Sequence, residues 1–272
     1  MKNIRDNAKL SELALPGTHD SATFSAENVK NIAKTQTLNF SQQLEFGIRV
    51  LDLRIRQTGD RFALHHGALF LNSMFGDALN EIDYFLDKYP SETVLIRLKE
   101  DHKPDTNNTQ TLRKTLNTYL ERHAKHYLNA DSNITLGKAR GKFIILSNND
   151  EFNYSGLIYS IFNIQDEYTL KTNWQLYSKW ESVKLQLQKA YSGSKDRFYV
   201  NFLSGSGGVF PYFVASGHSS SATSAPRLAT GLTTPGWQGS YPDFPRIDCF
   251  IGICTILNAR CIVKYKFQKY FL

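Results

Sequence analysis

Ile48-Arg-Val-Leu-Asp-Leu-Arg-Ile55 is the stretch that decides the fold. Its apolar residues fall at 48, 50, 51, 53 and 55, the pattern of a strand covered on both faces, as in a parallel sheet. Shorter runs of the same kind recur at residues 13–15, 62–66, 93–98, 142–146 and 197–202. Segments with helical spacing separate them. Residues 75–89 repeat apolar residues at helical spacing, Leu79, Ile82, Tyr84, Phe85 and Leu86, and stop at Pro90, and residues 109–127 and 174–190 read as helices as well. This alternation predicts a parallel sheet closed or covered by helices. The expected architecture is α/β: a single, distorted TIM-type β/α barrel over residues 1–272, with the active site at the C-terminal ends of the strands. No linker or internal repeat divides the chain, and residues 216–236 read as a long surface loop.

Composition narrows the class. With 272 residues and 41% hydrophobic content the chain can bury a sizeable core, which excludes a disordered or fibrous protein. The net charge of +7 suits an anionic partner, but the basic residues are scattered, so no nucleic acid is expected. Cys249, Cys254 and Cys261 lack zinc-site spacing and cannot all pair within one chain, and the first two, in an apolar run, read as buried free thiols. The polar start Met1-Lys-Asn-Ile-Arg lacks the apolar segment of a signal peptide. The expectation is a secreted protein shown after its leader was removed, with a cytoplasmic one as the alternative. No apolar run reaches the ~20 residues of a membrane span, so contact with a bilayer would be peripheral. A monomer is expected.

Chemistry concentrates at strand ends. His19 lies in Leu15-Pro-Gly-Thr-His-Asp-Ser21, and His66 in Leu64-His-His-Gly67. Two imidazoles can divide acid and base work near neutral pH. Taken alone, Asp20 could equally cap a helix starting near Ser21. His65 and His66 point to opposite faces of an extended strand, so only one of them can face a site. Asp52 and Arg54 share a parity and both point inward, as a structural ion pair or as working groups. Arg54 offers a permanent cation with a fork of donors suited to a phosphate. His19, Arg54, His66 and Lys99 each fall at or just past the end of an expected strand, which argues that they converge.

Four segments in order, residues 15–21, 51–54, 64–67 and 90–99, resemble the X-region of the bacterial phosphatidylinositol-specific phospholipase C family, and Leu136-Gly-Lys-Ala-Arg-Gly-Lys142 extends the likeness. The resemblance implies cleavage of phosphatidylinositol in membranes to diacylglycerol and inositol 1,2-cyclic phosphate. It makes His19 the general base for the inositol 2-hydroxyl and His66 the general acid for the departing diacylglycerol oxygen. It pairs Asp20 with His66 rather than with its neighbour His19. Arg54 stabilises the phosphoryl oxygens, with Asp52 orienting it. Lys99, Asp166 and Tyr168, the last two in Ile164-Gln-Asp-Glu-Tyr168, match positions that hold the inositol ring. Calcium-dependent relatives carry an acidic residue where Arg54 stands, so no metal and no cofactor are expected.

Two departures stand out. A family arginine that helps hold inositol falls at Asn148. The aspartate that the family's last strand gives to the catalytic base falls near Ile253, in an apolar run, and Asp248 is five residues away. Phe210, Tyr212, Phe213 and Trp237 read as an aromatic rim for docking on lipid. Two other readings compete: a phosphodiesterase for another headgroup, and a catalytically weakened inositol-lipid-binding protein on the same barrel.

Overall fold

The structure, a computed structural model, describes residues 1–25, 33–171, 176–205, 219–220, 223–224 and 253–256. Its strands are β1 (Ala14–Thr18), β2 (Val50–Thr58), β3 (Arg61–His66), β4 (Leu69–Met74), β5 (Thr93–Glu100), β6 (Lys142–Ser147), β7 (Gly156–Ile158), β8 (Asn163–Gln165), β9 (Tyr199–Phe202), the two-residue pair β10 (Ser219–Ser220) and β11 (Thr223–Ser224), and β12 (Ile253–Ile256). The helices are α1 (Phe40–Glu45), α2 (Phe75–Lys88), α3 (Leu112–Arg122), α4 (Leu136–Ala139) and α5 (Leu176–Ser192).

The large sheet runs β7-β6-β5-β2-β1-β12-β9-β8. Its first five strands in that order are parallel, as are β8 and β9, while β12 runs antiparallel between β1 and β9. The two ends of the path, β7 and β8, are consecutive in the chain, so the strip curls back toward its own start.

Alternation along each central strand separates two cores. Leu51, Leu53 and Ile55 of β2, with Ile96 and Leu98 of β5, pack outward beneath α2, against Ile82 and Phe85. Val50, Leu95, Ile144, Leu146 and Phe202 point inward with Leu15 and fill the interior. Each such aliphatic side chain contributes roughly 1.5–3 kcal/mol when fully buried. The same parity carries Asp52, Arg54, Arg97 and Lys99 inward, above the interior apolar layer.

The sequence pattern errs in one place that matters. Residues 62–66 are not a barrel strand: β3 folds back antiparallel on the far half of β2, pairing Ile55 with Leu64 and Thr58 with Arg61. β4 adds to it antiparallel. Gly59 (φ +54°) and Asp60 (φ +58°) make the reversal, a left-handed pair that short hairpin turns need. Five consecutive apolar or aromatic-rich positions look alike in a parallel strand and in a hairpin arm, and only pairing tells them apart. The helix expected over 109–127 starts later, at the Thr111 side chain, which accepts the Lys114 N–H as an N-cap.

Candidate active site

A row of three side chains crosses neighbouring strands. Gly17 pairs with Val50 and Thr18 with Leu51, which sets His19, just past β1, level with Asp52; Asp52 in turn pairs with Arg97. His19 Nδ1 lies 2.9 Å from Asp52 Oδ2. Arg97 Nη1 donates to the other oxygen, Oδ1, at 3.0 Å. The Asp20 N–H also reaches Asp52 Oδ2, at 3.2 Å. The Asp52 side chain has no exposed surface. Burial alone would push its carboxyl up; Arg97, the His19 hydrogen bond and Arg54 outweigh that and hold it far below the usual range. His19 thus has a carboxylate behind it, and among the described residues β2 supplies it.

Above the row lies a cluster around Asp20. This residue takes a left-handed backbone, φ +46°, an uncommon conformation for a residue with a side chain. Its N–H turns down to Asp52 and its carboxylate is buried above. Oδ1 meets Arg54 Nε at 2.5 Å, and Oδ2 lies 3.1 Å from His19 Nε2 and 3.4 Å from His66 Nε2. The resemblance assigned Asp20 to His66 alone; the carboxylate stands between both imidazoles, because residue 20 follows His19 directly and the β3 arm brings His66 over it. It is no helix cap.

Arg54 also faces Asp101 Oδ1 at 3.4 Å. Burial opposes its charge, but Asp20, Asp52 and Asp101 raise its pKa further, so it stays a cation throughout. Asp101 accepts from Lys99 Nζ at 3.1 Å and from the Gly67 N–H at 2.6 Å. Gly67, at φ +56°, therefore turns the chain just after His66 and anchors it. His65 faces the other way: it is buried, and burial lowers its pKa, while His66 keeps 32% of its side chain exposed.

The rim holds the remaining groups. Tyr168 is 56% exposed, and its N–H bonds to the Asp166 carbonyl at 3.0 Å. Partial loss of water pushes the Asp166 carboxyl up against the pull of His19, Arg97 and Lys179. Lys179 of α5 is buried and donates to Gln165 Oε1 and the Glu167 carbonyl at 2.7 and 2.9 Å, fixing the turn that carries Asp166. A cavity of about 350 Å³ beyond β6 is lined by Ser147, Asn148, Asn149, Asp150, Asn153 and Ser160.

Of the residues singled out in sequence, His19, Asp20, Asp52, Arg54 and His66 form one contiguous cluster. Lys99 joins it through Asp101, Asp166 lies near enough to feel the charges of His19 and Arg97, and Tyr168 is exposed two residues further on. Phe210, Tyr212, Phe213, Trp237 and Asp248 lie outside the described residues. Arg97, Asp101 and Lys179 escaped the sequence reading. Arg97 and Asp101 did leave a signal, since both share the inward parity of Lys99.

The cluster offers two imidazoles, one immobile cation and buried carboxylates within hydrogen-bond reach of one another. His19, Asp20 and Asp52 also present donor atoms within 4.8 Å of one another, a set that could hold a cation. Guanidinium groups from Arg54 and Arg97 already face these carboxylates and supply positive charge there.

Comparisons with known proteins point to one family. The profile described as phosphatidylinositol-specific phospholipase C, X domain, matches residues 13–149. A 1-phosphatidylinositol phosphodiesterase of Staphylococcus aureus is 31% identical over 236 residues, covering 75% of this chain and 74% of the relative. One from Listeria monocytogenes is 30% identical over 221 residues, covering 75% and 67%. The solved phosphatidylinositol-specific phospholipase C of S. aureus superposes with a TM-score of 0.70 at 28% identity, over 79% of this chain and 81% of that one. The Listeria structure gives 0.68 at 25% identity, over 79% and 82%.

Proposed function

The chain belongs to the phosphatidylinositol-specific phospholipase C family, and from that membership we propose how its site divides the work. The fold is the distorted TIM-type barrel of that family, and the protein is a phosphatidylinositol-specific phospholipase C. Its reaction releases diacylglycerol and leaves inositol 1,2-cyclic phosphate.

His19 is the base. With Nδ1–H given to Asp52, its Nε2 takes the 2-hydroxyl proton once the substrate displaces the Asp20 carboxylate that faces it at 3.1 Å. The freed oxygen attacks phosphorus and the bond to the diacylglycerol oxygen breaks. His66 gives its proton to that leaving oxygen. Arg54 faces the phosphoryl oxygens as their charge rises. Asp20, between both imidazoles and against Arg54, keeps the three groups aligned. Lys99, Asp166 and Tyr168 hold the inositol ring, the last by stacking. No metal is needed, because a guanidinium occupies the place where an ion would act.

The observation that carries this reading is the shared Asp20 carboxylate, whose Oδ2 lies 3.1 Å from one imidazole and 3.4 Å from the other. Asp52 behind His19 favours turnover over a binding-only protein. We further propose that all 272 residues form one secreted, peripheral, monomeric enzyme; cell fractionation and light scattering test those points. Among the described residues no helix is long and apolar enough to cross a membrane.

Phosphorus NMR of phosphatidylinositol treated with the enzyme in EDTA tests the reaction directly. Cyclic phosphate should accumulate at the same rate with or without chelator. Activity lost to EDTA and restored by calcium would overturn the metal-free assignment, and another headgroup cleaved faster would overturn the substrate.

A further inference from the structure

We infer that Arg97 is a positioning residue for the base: it clamps Asp52 so that Asp52 presents its second oxygen to His19. The inference rests on His19 being the base. Nothing in the family resemblance or in the names of the relatives assigns Arg97 a role.

The geometry is specific. Asp52 and Arg97 are register partners on adjacent parallel strands, so the Nη1–Oδ1 contact of 3.0 Å is fixed by the sheet rather than by a loop. The far side of the guanidinium is held too. Nε and Nη2 both donate to Asn148 Oδ1, at 3.0 and 2.8 Å. Arg97 also lies over the rings of Tyr159 and Phe202, at 4.8 and 5.4 Å. Phe202 also meets the His19 ring edge-on at 5.7 Å. The His19 imidazole is thereby gripped by Asp52 and by Phe202, and Arg97 touches both.

Chemistry explains why the clamp is needed here. Asp52 is wholly buried, and a buried carboxylate without a cation takes up a proton and ceases to be a strong acceptor. The resemblance expected support for His19 from the last strand, where the matching place is apolar near Ile253. It expected an arginine at 148, where this chain has asparagine. Both departures meet in one device: Asn148 anchors the guanidinium that β5 supplies, and that guanidinium keeps Asp52 in service behind His19. The other charged or titratable groups facing this row are Asp20 and Arg54 from above, Asp166 from the turn after β8, and Tyr159; all stay in place in the variants below.

The test compares Arg97→Met, Arg97→Lys and Asn148→Ala with wild type, on a short-chain soluble phosphatidylinositol across pH. Arg97→Met should lower kcat more than tenfold with KM within about twofold, and move the acid limb of the kcat/KM profile to higher pH. The sign follows from charge: without Arg97, both Asp52 and His19 hold protons more readily, and a protonated base cannot act. Arg97→Lys should recover the limb but not all of kcat, since an ammonium keeps the charge and loses the fork. Asn148→Ala should lower kcat less than Arg97→Met. Proton NMR should show a downfield Nδ1–H signal for His19 in wild type and His66→Ala, lost in Arg97→Met. An unmoved acid limb with the His19 signal intact in folded Arg97→Met would falsify the inference; should that variant not fold, an Arg97→Lys variant with the full wild-type kcat would overturn it instead. A His19→Ala variant of undiminished activity would instead overturn the underlying assignment of the base, so the two failures are distinguishable.

Discussion

Arg54 Nε lies 2.5 Å from Asp20 Oδ1, joining a residue from the middle of β2 to one just past β1. That contact engages Nε, and Nη1 stands 3.4 Å from Asp101 Oδ1. On the proposed assignment, a phosphoryl group meets a cation already oriented. Arg54→Lys keeps charge but cannot hold Asp20 and the phosphoryl oxygens together. It should lower kcat by roughly 10²–10³, as for loss of one transition-state donor. The measurement is turnover of soluble and vesicle substrate with unchanged circular dichroism, and a loss below tenfold would count against the role.

His19→Ala and His66→Ala should each cut turnover by about 10²–10⁴, the range for general acid–base groups, while vesicle binding stays unchanged. A binding-only protein would bind equally well and release no cyclic phosphate from wild type either.

His65 is the internal control. It is buried on the opposite face of β3 and packs against Phe70 at 5.7 Å. His65→Ala should lower stability by about 1–3 kcal/mol, the cost of truncating a buried, partly apolar side chain. Activity per folded molecule should remain near that of wild type. Chemical denaturation paired with active-site-normalised rates separates the two effects; a kcat loss equal to that of His66→Ala would show that the neighbours had been assigned in the wrong order.

Lys179 gives a pH signature. Burial lowers its pKa to about 8 from 10.5, against the pull of Asp166 and Glu167. A depressed lysine sheds its proton first in the folded state, so between those values the unfolded chain binds more protons and stability rises with pH. The penalty is full below about pH 8 and relieved by about pH 10.5. Relative to Lys179→Met, wild type should therefore gain Tm as pH rises through that window. A flat difference would mean that the folded and unfolded pKa values coincide.

The aromatic segment around residues 210–213 remains a proposal for lipid contact. Phe210→Ala with Phe213→Ala should weaken binding to anionic vesicles and spare a soluble substrate. Equal losses on both would remove the membrane role.

How much of this was legible from the chain follows a physical line. Val50, Leu51, Leu53 and Ile55 announced a doubly covered strand, and the parity of Asp52 and Arg54 announced an inward pair, because both depend on near neighbours in sequence. His19 and His66 stood out by residue type and by family motif. What stayed hidden was pairing. Nothing local tells that residues 62–66 fold back on β2, or that Arg97 lies beside Asp52 rather than serving as an ordinary strand arginine. Register between distant strands decides both, and with it the source of the carboxylate behind His19.

The hairpin has a mechanical consequence. Phe62, Leu64 and Leu71 tie the β3–β4 arm to the outer apolar cluster, whereas the row of His19, Asp52 and Arg97 rests on Val50, Leu95, Leu146 and Phe202 of the inner one. Both meet on β2, whose outer face, Leu51, Leu53 and Ile55, packs with the hairpin and whose inner face carries Asp52. A defect in the outer packing therefore moves His66 directly and reaches His19 only through that shared strand.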